Sequence, residues 1–234
     1  MKNLVIISIL FSFYSHFSAV ATPFDTTFTN DNRVKSLVHF EVRDANDMVI
    51  SAGHLLNGKK EGVFRNYNAK GTIMSVQEFR NDIPDGIFLK FGDGGGLELE
   101  ENYKEGVLHG KRVQYRFGGI KRSSDFFMNG KLNGLKTVYY DNGFRQEEAQ
   151  YKDGLRNGIS RWYNQSEVIT IEYEYKVGKL DGPAKTFFYN GKMQTEGQYS
   201  DDLETGSWKS FDDRGTLLKT VIYEKGKIVK ETLH

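Results

Sequence analysis

The residues of this chain that could do chemistry are few and scattered. Beyond the first 21 positions the histidines are His39, His54, His109 and His234, and none stands at metal-ligand spacing from another. The chain has no cysteine, which excludes thiolate ligands, a cysteine nucleophile and disulfides. The run "FGDGGGLELE" (91–100) has the glycines of a phosphate cradle. Such a cradle needs a helix after the glycines and a lysine followed by serine or threonine, whereas strand-forming residues follow here. Ser160 in "GISRW" does not sit in a G-x-S-x-G elbow. The carboxylate pairs Glu147–Glu148 and Asp212–Asp213 have nothing that recruits them to a cleft. Asn164-Gln165-Ser166 is a formal glycosylation acceptor, meaningful only in a eukaryotic secretory pathway. The sequence therefore predicts no catalytic residue, no cofactor and no metal site.

Binding chemistry is better represented. Glu100, Glu148, Glu172 and Glu196 hold one recurring position, a broken acidic row. Strand alternation predicts that Arg112, Arg116 and Arg122 point to the same face, close across one hairpin, with Lys111 and Lys121 adjacent. Phe64, Phe88, Trp162 and Trp208 are expected there too. Exposed rings beside charges describe a protein-docking surface, so Arg112, Arg116, Arg122, Trp162 and Trp208 are the candidate partner-binding residues. Two plainer readings stay open: a solvated face that keeps a sheet soluble, or a sheet that curls and buries these rings.

The elements that must position these residues are legible from a repeat. A glycine recurs every 24 residues at Gly62, Gly86, Gly110, Gly134, Gly158, Gly182 and Gly206. Five residues after each comes a ring: Tyr67, Phe91, Tyr115, Tyr139, Tyr163, Phe187 and Phe211. A second ring row is Phe79, Tyr103, Phe127, Tyr151, Tyr175, Tyr199 and Tyr223. An earlier glycine recurs at 58, 106, 130, 154, 178 and 226, with Asp82 and Asp202 filling the gaps. A turn glycine recurs at 71, 95, 119, 143, 191 and 215, with Glu167 as the exception. Such a fixed period is the mark of a repeat architecture. Glycine and asparagine between runs of β-formers read as hairpins. A unit of 24 residues cannot comfortably hold two helices and two turns, which disfavours helices.

The expected fold is therefore all-β: an elongated, single-sheet antiparallel hairpin array of 24-residue period. If each strand alternates without interruption, Ile73 and Phe79, or Ile169, Ile171, Tyr173 and Tyr175, share a face. Both ring rows then pave that one face, opposite the acidic row.

The first residues read as a secretory signal peptide: Lys2, an apolar core, then Ala19-Val20-Ala21. Ser12, Ser15 and His16 interrupt the core, which is too short for a bilayer span. Cleavage after Ala21 would remove Lys2 from a formal net charge of +1, leaving the mature chain near neutrality. That argues against a nucleic-acid partner, whose binding needs surplus Lys and Arg. The expected organisation is a signal peptide at 1–21 and a leader with an N-terminal capping hairpin at 22–54, of which 22–33 are flexible. Seven repeats at 55–222 and a C-terminal half repeat at 223–234 complete it.

The segments "YKEGVLHGKRVQY", "FMNGKLNGLKTVYYDNG", "YKDGLRNGISRWY" and "YKVGKLDGPAKTFFYNG" resemble MORN-type repeats. They are similar to the bacterial variant in the YwqK family of toxin–antitoxin antitoxins. The resemblance implies a non-catalytic protein-binding scaffold with an antitoxin-like or immunity-like role, and the signal peptide would put it in the periplasm or outside the cell. The alternative is a cell-envelope structural or surface protein that binds glycan or lipid.

Overall fold

The computed structural model describes residues 25–30 and 36–234. The expected signal peptide, 1–21, lies outside the described residues. The chain divides into two compact units, one ending at Val107 and one spanning Leu108–His234.

The first unit contains β1 (Asp25–Asn30), β2 (Leu37–Arg43), β3 (Val49–Leu56), β4 (Lys59–Tyr67), β5 (Ile73–Arg80), β6 (Ile83–Phe91) and β7 (Leu97–Lys104). Each pairs antiparallel with the next. The two-residue β8 (Val107–Leu108) falls at the division. The second unit contains β9 (Gly110–Tyr115), β10 (Lys121–Met128), β11 (Lys131–Leu132), β12 (Gly134–Tyr139), β13 (Arg145–Lys152), β14 (Leu155–Tyr163) and β15 (Ile169–Lys176). It continues through β16 (Lys179–Phe187), β17 (Met193–Ser200), β18 (Leu203–Phe211), β19 (Leu217–Glu224) and β20 (Lys227–Leu233). Here too successive strands pair antiparallel, β11 lying on the end of β10 while β12 continues the sheet. The all-β hairpin array predicted from the repeat is the fold that forms. Among the described residues the sole helical turn is a 3-10 turn, Phe117–Gly119. Of the leader expected to be flexible, Asp25–Asn30 instead pairs with β2, and Phe28 packs 5.8 Å from Phe40.

Two turn chemistries alternate along the chain. At one end of the hairpins, pairs such as Asn57-Gly58 (φ 53° and 79°) and Asn129-Gly130 (φ 49° and 77°) occupy the left-handed region at both positions. That is the two-residue turn whose twist matches the strands. Where aspartate replaces the glycine, the side chain helps to hold the turn: Asp82 Oδ1 accepts from Lys60 N, and Asp202 Oδ1 from Leu180 N, both at 2.7 Å. At the other end, the side-chain oxygen of Asn68 accepts from Lys70 N and Thr72 N (2.9 and 3.0 Å). Asn164 and Asp212 do the same in later copies. These are the local bonds that make Asn and Asp turn residues.

The second glycine of each copy is a backbone requirement. Gly86 sits at φ 120°, and a Cβ there would overlap the Glu78 carboxylate, which accepts from Ile87 N at 3.0 Å.

The ring rows do not share a face. In β4–β5, Asn66 pairs with Ser75 but Tyr67 pairs with Ile73, leaving Met74 as an extra residue. The same one-residue bulge recurs at Thr170 between the pairs Trp162↔Ile171 and Tyr163↔Ile169. It recurs again at Gln194, between Thr186↔Thr195 and Phe187↔Met193. A bulge uses up one step of the alternation, so Ile169 and Ile171 face opposite ways. The first ring row consequently lies on one face and the second row on the other. The expectation of one doubly paved face is overturned, because it assumed strands without bulges.

The core is correspondingly thin. Phe64 and Ala52 are buried in the first unit, and Val113, Ala149, Tyr163, Ala184 and Val221 in the second. Among the described residues no layer faces the sheet, and small residues are buried where large neighbours cover them. Ala149, Ser160, Tyr173 and Ala184 are successive cross-strand partners, and Ala149, Ser160 and Ala184 are each at most 1 % exposed.

Candidate binding surfaces

In each unit one face, termed the ring face, carries the second ring row, together with Phe64 in the first unit and Trp162 and Trp208 in the second. In the first unit the chain Phe40–Phe64–Phe79 has centroid spacings of 6.1 and 5.4 Å. The Phe64 ring lies directly on Gly53, where a Cβ would come within 2.6 Å, and Lys60 Nζ stands 4.8 Å from the Phe79 centroid. In the second unit, Trp162–Tyr173–Tyr199–Trp208–Tyr223 form a continuous edge-to-face series spaced 5.9, 6.0, 5.0 and 6.2 Å. Such pairs add about 0.5–1.5 kcal/mol each beyond area burial. Trp208 lies over Gly197, and its Nε1 donates to Gln198 O at 3.2 Å. The Arg156 guanidinium sits 5.8, 5.1 and 5.3 Å from the rings of Tyr151, Trp162 and Tyr175 and pairs with Glu147. Trp162 and Trp208 are thus half-buried members of the packing and keep one side in solvent.

Toward the start of the second unit the same face turns charged. Arg112 pairs across from Asp125 and stands 5.9 Å from the Phe127 ring. Asp125 is only 6 % exposed. Burial pushes its carboxyl above the usual carboxylate range, against the opposing pull of Lys136 and Arg112.

The three arginines expected to form one patch occupy different environments. Arg112 lies on the ring face. Arg116 sits at a turn, where its Nε pairs with Asp141 (2.8 Å) and its terminal nitrogens donate to Lys121 O and Tyr139 O. Arg122 is exposed at a register shift between the pairs Lys121↔Tyr115 and Ser123↔Gln114. Arg112 does share a face with Trp162 and Trp208, but the acidic row lies on the other side. The bulges are again the reason.

On that other face, Glu148, Arg161, Glu172, Lys185, Glu196 and Lys209 are successive cross-strand partners of alternating sign. Arg161 Nε lies 2.7 Å from Glu172, and Lys209 Nζ 3.1 Å from Glu196. The acidic row is thereby matched in these copies by a basic row, at the third position after Gly158, Gly182 and Gly206. Reading the two rows together would have revealed it from the sequence. Tyr163 is buried here, and its hydroxyl donates to Glu148 Oε2 at 2.6 Å.

A third feature escaped the sequence reading. Along one edge of the second unit, side chains lace each glycine-closed turn to the turn of the next copy. Arg116 reaches Tyr139 O, Tyr140 Oη reaches Tyr163 O, Asn142 reaches Gln165 O, and Asn190 reaches Asp213 O. Among the described residues, no such bond crosses from the 164–167 turn to the 188–191 turn. Ser166 stands there in the place of Asn142 and Asn190, and its side chain is too short to make the reach. An open groove of about 650 Å³ lies between the two turns, lined by Asn164, Gln165, Thr186, Phe187, Tyr189 and Gln194 among others. Tyr189 is 82 % exposed and replaces the polar residue found at Asp141, Gln165 and Asp213. The signal was a departure from the repeat, not the repeat itself.

Among the described residues, no group of three His, Asp or Glu could hold a metal ion, and no helix is long and apolar enough to cross a membrane. The family model of the MORN repeat variant matches residues 180–201, the β16–β17 hairpin. No curated protein matches the chain. The family match supports a MORN-type repeat protein, with the matched segment running from the sixth of seven copies of the same spacing into the start of the seventh.

Proposed function

We propose that this MORN-type repeat protein is a non-catalytic scaffold that is exported and holds a protein partner on the ring face of its second unit. An antitoxin-like or immunity-like role in the envelope is the finer form of this reading. The carrying observation is the series Trp162–Tyr173–Tyr199–Trp208–Tyr223, half-buried along a face that no second layer covers among the described residues. Half-exposed Trp and Tyr beside an arginine are the anchors that dominate protein–protein affinity, and Arg112 on the same face suits a partner that adds an acidic side chain. Repeats of this type serve as binding surfaces, which agrees with the family match. The alternating charges of the opposite face satisfy one another and have less to offer a partner.

The test is capture from the envelope fraction of the native organism with the full chain as bait. A partner identified there is then titrated against Arg112→Ala, Trp162→Ala and Trp208→Ala. Removal of an anchor ring should weaken binding by about tenfold or more, with folding of each variant checked by its melting transition. Equal affinity of all four proteins for that partner would sink the ring face as the docking surface. Recovery of the protein with its signal segment intact in the cytoplasm would sink the export.

A further inference from the structure

The groove between the fifth and sixth glycine-position turns has a chemistry distinct from either sheet face. We propose that it is a binding site for an uncharged saccharide. This goes beyond the ring-face scaffold and uses none of the tryptophan, tyrosine or arginine anchors proposed there.

Three observations carry the inference. First, the groove lies where lacing found between other neighbouring turns of the second unit is missing. Arg116, Tyr140, Asn142 and Asn190 each tie one turn to the next, whereas Ser166 leaves the 164–167 and 188–191 turns apart. Its volume of about 650 Å³ falls within the roughly 300–1,000 Å³ typical of small-ligand sites.

Second, none of its lining residues is charged, in a chain where 27 % of residues are. The polar groups are amides and hydroxyls: Asn164, Gln165, Thr186 and Gln194, with Ser166 at the rim. An amide side chain offers both donors and acceptors, the pairing that neighbouring sugar hydroxyls require. The Asn164 carbonyl is committed to its own turn, but its NH₂ and the Gln165 side chain have no partner among the described residues. With no lysine or arginine in the lining, nothing compensates a phosphate or carboxylate, so a lipid headgroup or acidic peptide is disfavoured.

Third, Tyr189 presents its ring to solvent at 82 % exposure, beside Phe187 in the groove wall. The negative face of an aromatic ring attracts weakly positive C–H edges, which is what the axial hydrogens of a sugar ring present. A flat ring flanked by uncharged amides suits a saccharide better than a peptide, which would need a deep side-chain pocket or an open strand edge.

The experiment is affinity electrophoresis of the full chain in gels containing dextran, mixed-linkage β-glucan, galactomannan or glycol chitin. It is followed by calorimetry with the hexasaccharide of any retarding polymer. The expected result is retardation by at least one polymer, unchanged by added salt. Tyr189→Ala and Gln165→Ala should each weaken it about tenfold. Both residues are exposed, so the melting transition should stay in place. Ser166→Asn, which restores the missing lacing residue, should reduce binding as well. Trp208→Ala should retain it, which separates this site from the ring face. The inference fails if none of the four polymers retards the chain, or if retardation is indifferent to Tyr189→Ala and Gln165→Ala. It also fails if the groove variants lose only salt-sensitive binding to anionic lipid vesicles.

Discussion

Tyr163 shows how one residue can matter in a sheet with so little interior. It is 5 % exposed, donates to Glu148 and carries the Arg145 guanidinium 4.6 Å from its ring centroid. Tyr163→Ala should cost about 3–5 kcal/mol, and Tyr163→Phe, which keeps the ring, about 1.5 kcal/mol, read as shifts of the urea midpoint. Burial first, then the Glu148 carboxylate, push the Tyr163 phenol up to about 12, against an unfolded value near 10. Because the folded value is the higher one, its contribution is complete below pH 10 and fades as the pH climbs toward 12. Stability of the natural chain should thus fall more steeply over pH 10–12 than that of Tyr163→Phe, and parallel curves would contradict the assignment. Glu167 is the second case. It holds φ 59° where other copies have glycine, a conformation costing about 1–2 kcal/mol with a side chain. In return it pairs with Arg145 (3.0 Å) and accepts from its amide, an exposed pair worth about 0.2–1 kcal/mol. Glu167→Gly relieves the strain and loses the pair, so little net change is expected. Glu167→Ala loses the pair and keeps the strain, and should melt as the less stable of the two by about 1 kcal/mol.

At the scale of the element, the bulge decides what each strand presents. Thr170 is the extra residue of β15, and its hydroxyl donates to Trp162 O at 3.2 Å. Deleting it would leave Tyr163↔Ile169 and Trp162↔Ile171 as neighbouring rungs of a regular ladder, with every side chain on its present face. Deleting Glu172 instead would move Ile171 or Tyr173 and Tyr175 to the wrong side. The first deletion should cost about 1 kcal/mol, the scale of one hydrogen bond. The second should exceed about 4 kcal/mol or abolish cooperative unfolding. Denaturation curves of the two proteins make the comparison, and equal losses would show that the bulge does not set the faces. The glycines and alanines under the large rings belong to the same logic. Gly53 and Gly197 lie outside the repeating glycine rows, yet each is needed because a neighbouring ring lies on its backbone.

At the scale of the whole molecule, each unit is held by contacts between successive hairpins. The left-handed turns clip onto the preceding copy through Gly154 N to Leu132 O, Gly178 N to Arg156 O and Gly226 N to Glu204 O, at 2.8 to 2.9 Å. Stability in such an array is a sum of local and nearest-neighbour contributions, so the ends open before the middle. Among the described residues β20 pairs only with β19, and every one of its residues is exposed. Hydrogen exchange read by mass spectrometry should find the β20 amides exchanging well before those of β15 and β16. Uniform protection across the second unit would mean that it opens as a single block.

The sequence by itself determined the period, the hairpins, the turn types and the strand-dominated character of the repeats. Each of these follows from local conformational preference: glycine or asparagine where φ is positive, β-formers between. It also placed the rings at their positions along the strands, and it flagged Glu167 as a departure. What it could not assign was the side of the sheet on which anything lies. A bulge is an extra residue with no residue type of its own; Met74, Thr170 and Gln194 share the position and little chemistry. It exists because the twisted partner strand is paired in one register and not another, and that choice is made by two strands together. Hence the arginines, the tryptophans and the acidic row were each recognised, while their common face dissolved. The groove beside Tyr189 is likewise a product of tertiary structure, since a missing reach between turns 24 residues apart becomes a cavity only when hairpins stack side by side.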